Sequence, residues 1–395
     1  MRKHKSDRVI TILTLLLLVI GLVVIYAIGP MRVNFMNAAY GSELEENYFF
    51  VHQLVSVAFS IGAFVVAFKF PYEKLRKFSK VVMIFGLVMC AILEVAALAG
   101  SGLAKCELGA CRWINLGSFG SLQPAEILKL GLVLYLAQLA AVRKKEGKLE
   151  TSDFFVPAGV YSGLALFFTV ILQKDLGTGV AIMAIILGIL FMSGIKTRIF
   201  MMILGVILVG GVLAIITSPH RMERILTYAN GDEADNYHIE NALIAIGTGG
   251  VTGVGVGNSV QATGYLPESI NDSVFAIMGE TFGFIGLMAV VMIFMILLSR
   301  ILGVVERGED MEHRLVAAGV FSWVLVQTAV NMMAMTGLIP LTGITLPLLS
   351  YGGTSMMFVA TGLGLVAQLS CYTRRVVKKN EKKSYSSRGV REARR

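Results

Sequence analysis

The feature that most constrains this chain is a series of apolar runs, each about 20 residues long. A run of this length crosses the roughly 30 Å hydrocarbon core of a bilayer when it is helical. Within lipid every backbone N–H and C=O group needs an internal partner, which a helix supplies inside one segment. Only 15% of the residues are charged, against about 25% in soluble domains. The pattern predicts an all-α polytopic membrane protein.

We predict ten transmembrane helices, joined mostly by short loops, within one membrane domain that covers residues 1–373. The first helix is not followed by a small-residue cleavage site, which indicates a retained anchor and not a signal peptide. The predicted spans are 9–29, 51–70, 81–99, 124–142, 154–172, 177–195, 199–217, 273–299, 315–337 and 355–372.

Four segments depart from this pattern of helices and short loops, and two of them are the longer outer segments 30–50 and 100–123. The loop over 218–272, called here the large loop, is about 55 residues long, and loops of this length in compact domains are usually functional. Near 338–353, prolines and paired glycines interrupt an apolar run. This is typical of a re-entrant segment, whose backbone must be covered by protein or line a wet cavity.

The positive charge of the chain is unevenly distributed. Of the 35 Lys and Arg residues, 28 fall in segments that the ten helices place on one side of the membrane. Because basic residues accumulate in cytoplasmic loops, we expect both termini inside and the large loop outside. Ten of them form a tail over 374–395, which is expected to contact anionic lipid headgroups. The tail lacks alternating basic and aromatic residues, which argues against nucleic-acid binding.

The cysteines allow one disulfide. Cys106 and Cys111 share a predicted outer loop, and the sequence leaves open whether they form a bridge or stay as two thiols. Cys90 lies in the third predicted span and Cys371 at the inner edge of the tenth, so both are expected to be inert. The chain shows no metal-ligand spacing, so no metal site is predicted.

Ionisable side chains inside the predicted spans are costly and usually functional. Glu126 and Lys129 are three residues apart and share one helix face. They can neutralise one another as a structural pair, with Asp175 nearby, or they can line a polar cavity that opens outward to an anionic headgroup. For Glu94 and Glu280 the structural interpretation is favoured.

Basic residues outside the membrane are few, and they are candidates for binding phosphate. Arg112, Arg221 and Arg224 fall in the predicted outer loops. The alternative is that they contact lipid phosphates, and that Trp113 simply belongs to the interfacial aromatic belt.

Asp272 is an acid just before the eighth predicted span. Apolar surroundings would raise its pKa toward that of a useful base. From chemistry alone it is also a helix-capping candidate ahead of Ser273. Spacing does not favour it over Glu268.

Four segments, in order from about residue 110 to 355, resemble the SEDS (shape, elongation, division and sporulation) family, which includes RodA, FtsW and SpoVE. They are RWINLGSFGSLQPAEILKL (112–130), QKDLGT (173–178), SPHRMERI with IAIGTGGVTGVGVGNS and YLPESINDSVFAIMGETFGFIG, and GLIPLTGITLPLLSYGGTS (337–355). The predicted ten-span topology agrees with this resemblance.

The resemblance implies a peptidoglycan glycosyltransferase. Such enzymes polymerise lipid II, a disaccharide-pentapeptide on undecaprenyl pyrophosphate, at the outer face of the cytoplasmic membrane, with a class B penicillin-binding protein as transpeptidase partner. Asp272 lies at the place of the family's essential aspartate. The other residues that match family positions, and that the resemblance implies contact the substrate, are Arg112, Trp113, Glu126, Lys129, Asp175 and Ser350.

The chain departs from the family pattern at several positions. The usual His-Thr before the aspartate is Ile270-Asn271 and the following Phe is Ser273. The other departures are Cys111 for the first arginine of the RRW motif, Lys174 for a proline, and His238 and Asn241 for paired glutamines. They leave the enzyme class intact and bear on the subfamily and on the positioning of the acceptor sugar.

The reaction that is implied needs a base and a counter-charge. Asp272 would deprotonate the attacking sugar hydroxyl, and general-base help is worth about 10²–10⁴-fold. Arg112, Arg221, Arg224 and Lys129 are candidates to neutralise the leaving pyrophosphate. No cofactor is required by the sequence, and a divalent cation, Mg²⁺ or Mn²⁺, is the one that this chemistry leaves open.

Two other functions compete with polymerisation. A lipid II flippase or another lipid transporter would suit broken helices and buried charges, but it needs access from both sides, whereas the unusual polar content here is predicted outside. A scaffold that recruits a cell-wall synthase needs no catalytic acid.

For the transpeptidase partner, small residues on spans eight and nine could admit a foreign helix; these are Gly283, Gly286, Ala317, Ala318 and Gly319.

Overall fold

The structure is a computed structural model that describes residues 5–107, 110–117, 120–230 and 233–373. The basic tail and residues 231–232 of the large loop lie outside the described residues. Within the described part of the chain, ten helices are long and apolar enough to cross a membrane. The prediction of an all-α polytopic fold with ten spans is confirmed.

Thirteen α-helices occur in the described ranges, and three of them are short non-spanning helices. In chain order they are α1 (Arg8–Tyr40), α2 (Tyr48–Lys69), α3 (Tyr72–Lys77), α4 (Ser79–Leu98), α5 (Pro124–Lys145), α6 (Ser152–Leu166), α7 (Leu176–Ser193), α8 (Thr197–Ile216), α9 (Pro219–Asn230), α10 (Glu233–Thr248), α11 (Val274–Arg307), α12 (Met311–Met335) and α13 (Gly353–Leu369). A π-helical turn, Phe167–Leu172, extends α6.

The helix α5 forms the centre of the bundle, where most of its residues are buried. Glycines let α4 approach it closely. A Cβ added at Gly86 would lie 2.9 Å from the Cα of Leu128, and one at Gly131 would lie 2.9 Å from the Cα of Met83. Small residues at a helix crossing of this kind improve van der Waals packing in lipid. In contrast, α8 has no buried residue, so it packs mainly against lipid.

The small residues of α12 face the interior of the bundle. Ala317 and Ala318 are buried, and a Cβ added at Gly319 would contact Val133 of α5 and Ile189 of α7. The expectation that these residues form an exposed surface for a partner helix is therefore wrong. They are small because α12 packs tightly against α5 and α7 of the same chain.

A three-stranded antiparallel sheet lies between α4 and α5, and the sequence did not predict it. Its strands are β1 (Ala104–Glu107), β2 (Ala110–Asn115) and β3 (Ser121–Leu122). Cys106 and Cys111 are opposite each other in the β1–β2 pair, and the structure joins them in a disulfide.

The glycine-rich end of the large loop binds to the backbone of α11. Gly283 has a φ of 67° and kinks the helix there. At the kink, the N–H of Val254 donates to the oxygen of Glu280 at 2.9 Å, and the N–H of Phe284 donates to the oxygen of Gly250 at 2.9 Å. These bonds satisfy groups that the kink releases. They also hold residues 250–254 of the large loop against α11.

The segment between α12 and α13 is non-helical, as expected for a re-entrant segment, and its second half, residues 344–350, is largely buried by protein. Its backbone is tied internally by the N–H of Leu346, which donates to Oγ of Ser350 at 2.8 Å. It is tied to the large loop by the N–H of Tyr351, which donates to the oxygen of Ile270 at 2.8 Å. The re-entrant segment and the last turn before α11 are therefore held together.

Candidate active site

Asp272 lies in a tight turn that ends at α11. Glu268 has a φ of 49°, and its oxygen accepts from the N–H of Asn271 at 2.9 Å and of Ser273 at 3.2 Å. The backbone carbonyl oxygen of Asp272 accepts from Nδ2 of Asn331 on α12 at 2.7 Å. The turn is thus held both by its own backbone and by a side chain of a spanning helix.

A second set of hydrogen bonds holds the residue after Asp272. Nε2 of His238 on α10 lies 2.6 Å from Oγ of Ser273, and this hydroxyl donates to the oxygen of Pro267 at 2.9 Å. Burial, and then the positive charge of Arg224, lowers the pKa of His238 to about 4. The imidazole is therefore neutral at physiological pH, and it donates from Nε2 because the hydroxyl hydrogen is already used.

The carboxyl group of Asp272 is placed in an unusual environment. The residue retains some exposed surface, but Oδ1 has none, and within the described part of the chain it has no hydrogen-bond partner. Burial, and then the negative charge of Glu268, raises the pKa of Asp272 to about 7. Backbone N–H groups of Asp272 and Ser273 and the charge of Arg224 act in the opposite direction. Such a carboxyl can exchange a proton near neutral pH.

The structure does not give Asp272 the helix-capping position that its sequence context allowed. The N-cap of α11 is Ser273, whose side chain makes no capping hydrogen bond. The reason is that the hydroxyl of Ser273 is engaged by Pro267 and His238.

A second polar cluster surrounds the start of α7. Asp175 caps this helix: its Oδ1 accepts from the N–H of Thr178 at 2.9 Å and its Oδ2 from Oγ1 of Thr178 at 2.8 Å. Its Oδ2 also accepts from Nε2 of Gln123 at 3.2 Å. None of these contacts involves Glu126 or Lys129.

Two of the predicted phosphate-binding arginines join this second cluster. Arg112 of β2 donates from Nη2 to the oxygen of Lys174 at 3.1 Å. Arg221 of α9 donates to the oxygens of Ala214 and Val170. Burial, and then the charge of Arg112, lowers the pKa of Arg221, because the two positive charges are close enough to repel each other. Paired guanidinium groups favour an anion between them.

The predicted Glu126–Lys129 pair is present in α5. Nζ of Lys129 donates to Oε1 of Glu126 at 2.8 Å and lies 4.7 Å from the ring centroid of Trp323. Both charged side chains are almost fully buried, 3% or less exposed. Oε2 of Glu126 has no hydrogen-bond partner among the described residues. A buried pair with one unsatisfied oxygen can receive a further donor.

The re-entrant segment lies between the two clusters and contacts both of them. The side-chain amide of Asn331 that binds Asp272 also donates to the oxygen of Ile344 at 2.7 Å. On the other side of the segment, the side chain of Ile344 packs over Gly177, two residues after Asp175. The segment thus connects the Asp272 turn to the arginine cluster.

The remaining predicted site residues, Trp113, Ser350 and Arg224, have three different environments. Trp113 is half-buried and, because successive side chains of a strand alternate, it points away from the face of Arg112. The hydroxyl of Ser350 is buried and accepts from the backbone of the re-entrant segment. Arg224 is exposed, and its charge acts on Asp272 and His238.

Asn331 and Trp323 were not predicted as site residues, because both are uncharged and the prediction rested on ionisable groups in the spans. A signal was present. Trp323, Gln327 and Asn331 repeat every four residues on α12 and form one polar stripe. Nε1 of Trp323 donates to Oε1 of Gln327 at 2.8 Å. A polar stripe of this kind in a spanning helix marks a buried polar interior.

A divalent cation fits this site only together with a substrate. In the described ranges, no group of three or more His, Cys, Asp or Glu side chains comes together. Asp272 and Glu268 offer two carboxylates close enough to interact. Mg²⁺ is commonly bound by one or two carboxylates plus substrate phosphates and water. Mg²⁺ or Mn²⁺ would therefore take its remaining ligands from a phosphorylated substrate.

Comparison with known proteins identifies the family. A family model described as "Cell cycle protein", covering FtsW, RodA and SpoVE, matches residues 7–375. The chain belongs to the FtsW/RodA/SpoVE family. The match spans all ten membrane helices and both polar clusters, as the sequence motifs predicted.

Relatives within the FtsW/RodA/SpoVE family are similar over nearly their whole length. The chain is 32% identical to stage V sporulation protein E of Bacillus subtilis over 377 residues, which is 94% of this chain and 99% of that protein. It is 32% identical over 370 residues to a protein of Escherichia coli O157:H7 named probable peptidoglycan glycosyltransferase FtsW, covering 91% of this chain and 86% of that protein.

Solved structures share the fold. The rod shape determining protein RodA of Thermus thermophilus superposes with a TM-score of 0.66 at 22% identity, over 94% of this chain and 98% of that one. A chain of a peptidoglycan synthase complex, described as coordinating polymerization and crosslinking, superposes with a TM-score of 0.71 at 22% identity, over 92% of this chain and 97% of that one. The arrangement of the ten helices is thus that of the FtsW/RodA/SpoVE family.

Proposed function

We propose that this chain is a peptidoglycan glycosyltransferase that polymerises lipid II, with Asp272 as the general base. The enzyme class rests on membership in a family whose relatives are named probable peptidoglycan glycosyltransferase. The observation that carries the proposed role of Asp272 is its enclosed carboxyl group. Burial and the charge of Glu268 raise the pKa of Asp272 to about 7, where a carboxylate accepts a proton most usefully.

The proposed reaction is one displacement at an anomeric carbon. Asp272 takes the proton of the attacking sugar hydroxyl while the oxygen of that hydroxyl bonds to the anomeric carbon of the donor. The bond from that carbon to the pyrophosphate oxygen breaks, and the electron pair leaves with undecaprenyl pyrophosphate. Each turn lengthens the glycan strand by one disaccharide and leaves the proton on Asp272, which must lose it before the next turn.

The leaving pyrophosphate needs compensating positive charge. Arg112 and Arg221 approach each other beside Asp175, and Arg224 acts on Asp272 from the large loop. We assign the pyrophosphate to the space between these residues, along the re-entrant segment. Lys129 lies deeper, paired with Glu126, and its contact with substrate remains part of the proposal.

The proposal places this chemistry outside the cytoplasmic membrane. The ten apolar helices fit a multi-pass protein of that membrane, and the excess of Lys and Arg in loops opposite the large loop supports cytoplasmic termini. Single cysteines introduced in the large loop should react with an impermeant thiol reagent added to intact cells. Labelling that occurs only after the cells are opened would reverse the orientation.

The proposed partner is a class B penicillin-binding protein with one membrane span. Support comes from the fold shared with a chain of a peptidoglycan synthase complex. Because the small residues of α12 are buried, an exposed apolar face on the first part of α11 is the surface we assign to the partner helix; it includes Phe284, Ile285 and Met288. Introduced aspartates at Phe284 and Met288 should abolish co-purification with the cognate transpeptidase, whereas aspartates at Val206 and Val209 of the exposed helix α8 should not.

Polymerisation by the purified chain tests the proposed activity. The chain, reconstituted with lipid II alone and with its partner, should form glycan strands that a muramidase degrades. A flippase would instead move labelled lipid II across the vesicle membrane without forming strands. Transport without strands, in the presence of the partner, would contradict the proposal.

A further inference from the structure

A cavity lies at the end of the bundle away from Asp272. It has a volume of about 570 Å³ and opens between the start of α1, the end of α11 and the turn after α13. The helix α11 begins at Val274, beside Asp272, and ends at Arg307, which lines the cavity. Its 34 residues correspond to roughly 50 Å of helix, so the cavity is separate from the candidate active site.

The walls of this cavity are strongly basic. Lys5, Arg8, Arg300 and Arg307 line it, and Asp7 is the one acid among the lining residues. Oδ1 of Asp7 caps α1 by accepting from the N–H of Val9 at 2.9 Å, and Oδ2 lies 3.9 Å from Nη1 of Arg300. Within the described ranges, only Arg300 among these four basic residues has an ion-pair partner. The cavity therefore carries an uncompensated positive charge.

The basic cavity has a fixed polar floor. Oγ of Ser370 accepts from the N–H of Asp7 at 2.8 Å and donates to the oxygen of Ala367 at 2.7 Å, which ties the start of α1 to the end of α13. Thr373 lies on the rim, and the chain continues from it into the tail with ten basic residues. Guanidinium and ammonium donors converging on one cavity match the oxygens of a phosphate group.

An apolar surface begins where the basic cavity ends. Ile296 lines the cavity and is 40% exposed, and Met292, one turn further along α11, is 51% exposed. On α1, Ile12 and Leu16 follow Arg8 at intervals of four residues, on the same helix face, and are 59% and 40% exposed. Charged headgroup contacts and exposed apolar side chains are thus continuous along α1 and α11.

We propose that this cavity binds the phosphodiester headgroup of an anionic phospholipid, whose acyl chains lie along the exposed faces of α1 and α11. Basic pockets between transmembrane helices bind lipid headgroups of this kind. A free phosphate or an acidic peptide would contact the basic walls but would make no use of the apolar surface that continues from them. The proposal does not depend on the reaction at Asp272.

Lipid retention by the purified full-length chain tests the site. Native mass spectrometry should show phosphatidylglycerol retained at lipid concentrations about tenfold lower than phosphatidylcholine of the same acyl chains. Added inorganic phosphate should not displace it. Equal retention of the two lipids would overturn the proposal, and displacement by millimolar phosphate would assign the cavity to a free anion.

Charge-neutral variants locate the lipid. Arg8→Gln with Arg300→Gln and Arg307→Gln should reduce phosphatidylglycerol retention about tenfold. The matched control removes three exposed charges elsewhere, Lys74→Gln with Lys77→Gln and Lys80→Gln, and should keep retention within about twofold. Both variants must melt as the wild type does in phosphatidylcholine. Equal losses in the two variants would indicate only general surface charge and overturn the site.

Photo-crosslinking of the unmodified chain keeps the test independent of variant folding. Phosphatidylglycerol with a photoreactive headgroup should crosslink to peptides that contain residues 5–8 or 299–307. Crosslinks confined to other segments would contradict the proposed site, whether or not the variants fold. An acidic peptide that removes these crosslinks while phosphatidylglycerol cannot compete with it would assign the cavity to a protein partner instead.

Discussion

The side-chain amide of Asn331 donates one hydrogen bond to the backbone carbonyl oxygen of Asp272 and a second to that of Ile344, each at 2.7 Å. One nitrogen thus joins three elements: helix α12, the turn before α11 and the re-entrant segment. Since both of its hydrogens are used, Asn331 leaves little freedom in the position of Asp272. We regard Asn331 as a positioning residue for the proposed base.

Replacing Asn331 tests this relationship. Asn331→Leu keeps a similar volume but leaves two buried oxygens without a donor, at about 1–3 kcal/mol each. We expect polymerisation to fall about 10- to 100-fold, because small displacements of a catalytic group have effects of this size. The pH midpoint of the residual activity should also move, since the surroundings of Asp272 change.

Asn47→Leu is the control for this substitution, because Asn47 is exposed and its side chain makes no capping bond. It should leave rate and pH midpoint unchanged. An Asn331→Leu variant with normal rate and midpoint would show that Asp272 is positioned without it.

The pH dependence of polymerisation should report Asp272. A base is active when ionised, so the logarithm of the rate should rise with pH and level off above a midpoint near the raised pKa of about 7. His238 does not titrate in this range, because burial lowers its pKa to about 4. Rates measured from pH 5.5 to 8.5 in one buffer series give the midpoint.

Neighbouring charges should move this midpoint in opposite directions. Glu268→Gln removes a negative charge that raises the pKa of Asp272, so the midpoint should fall. Arg224→Gln removes a positive charge that lowers this pKa, so the midpoint should rise. Shifts of the reverse sign, or none in either variant, would mean that another group titrates.

Two variants distinguish a structural role of the buried Glu126–Lys129 pair from a role in substrate binding. Lys129→Met alone leaves the Glu126 carboxylate buried without a partner, which costs about 3–5 kcal/mol. The double variant Glu126→Gln with Lys129→Met removes both charges and should recover most of the melting temperature. We expect polymerisation by the double variant to stay at least about tenfold low, because the proposed pyrophosphate contact is lost. Activity that recovers together with stability would leave the pair a structural role only.

The Cys106–Cys111 disulfide should be detectable by mass. Alkylation without reductant should add no group at these cysteines, and alkylation after reduction should add two. Cys106→Ser with Cys111→Ser should lower stability by about 2 kcal/mol in the chain-entropy model. It should also lower polymerisation, since Arg112 follows Cys111 in the same strand. The double variant also serves as the control for the reductant, because its stability and activity should not change when reductant is added. Two alkyl groups added to the wild type without reductant would reject the bridge.

Local patterns in the sequence predicted much of the fold. Hydrophobic length gave the ten spans, and the three-residue spacing of Glu126 and Lys129 gave their shared face, because helix geometry fixes both. The position of Asp272 before α11 followed from the start of an apolar run. The resemblance, and not the spacing, distinguished it from Glu268.

Contacts between distant segments could not be read from such patterns. Asn331 lies 59 residues from Asp272, and the sheet at 104–122 consists of short strands without clear alternation. Small residues such as Gly319 allow close packing, but the sequence does not say whether the neighbouring helix belongs to the same chain. These features depend on which helix faces meet, which is decided by tertiary packing.

Substituting Asp272 itself should not weaken the fold. A carboxyl whose pKa is raised by folding opposes folding once the pH exceeds its unfolded value near 3.8, and this cost is complete above about 7. Asp272→Asn removes that cost and keeps a similar shape. At pH 8 we therefore expect the variant to melt at the wild-type temperature or above, so that a loss of rate can be attributed to chemistry.

The most direct measurement is glycan-strand formation from lipid II by Asp272→Asn at matched protein amounts. The control is Glu240→Gln, an exposed acid of α10 in the same loop, which should polymerise at nearly the wild-type rate. We predict that Asp272→Asn polymerises at least about 100-fold more slowly while reaching normal membrane levels. A variant that keeps more than about a tenth of the wild-type rate would contradict the assignment of Asp272 as the general base.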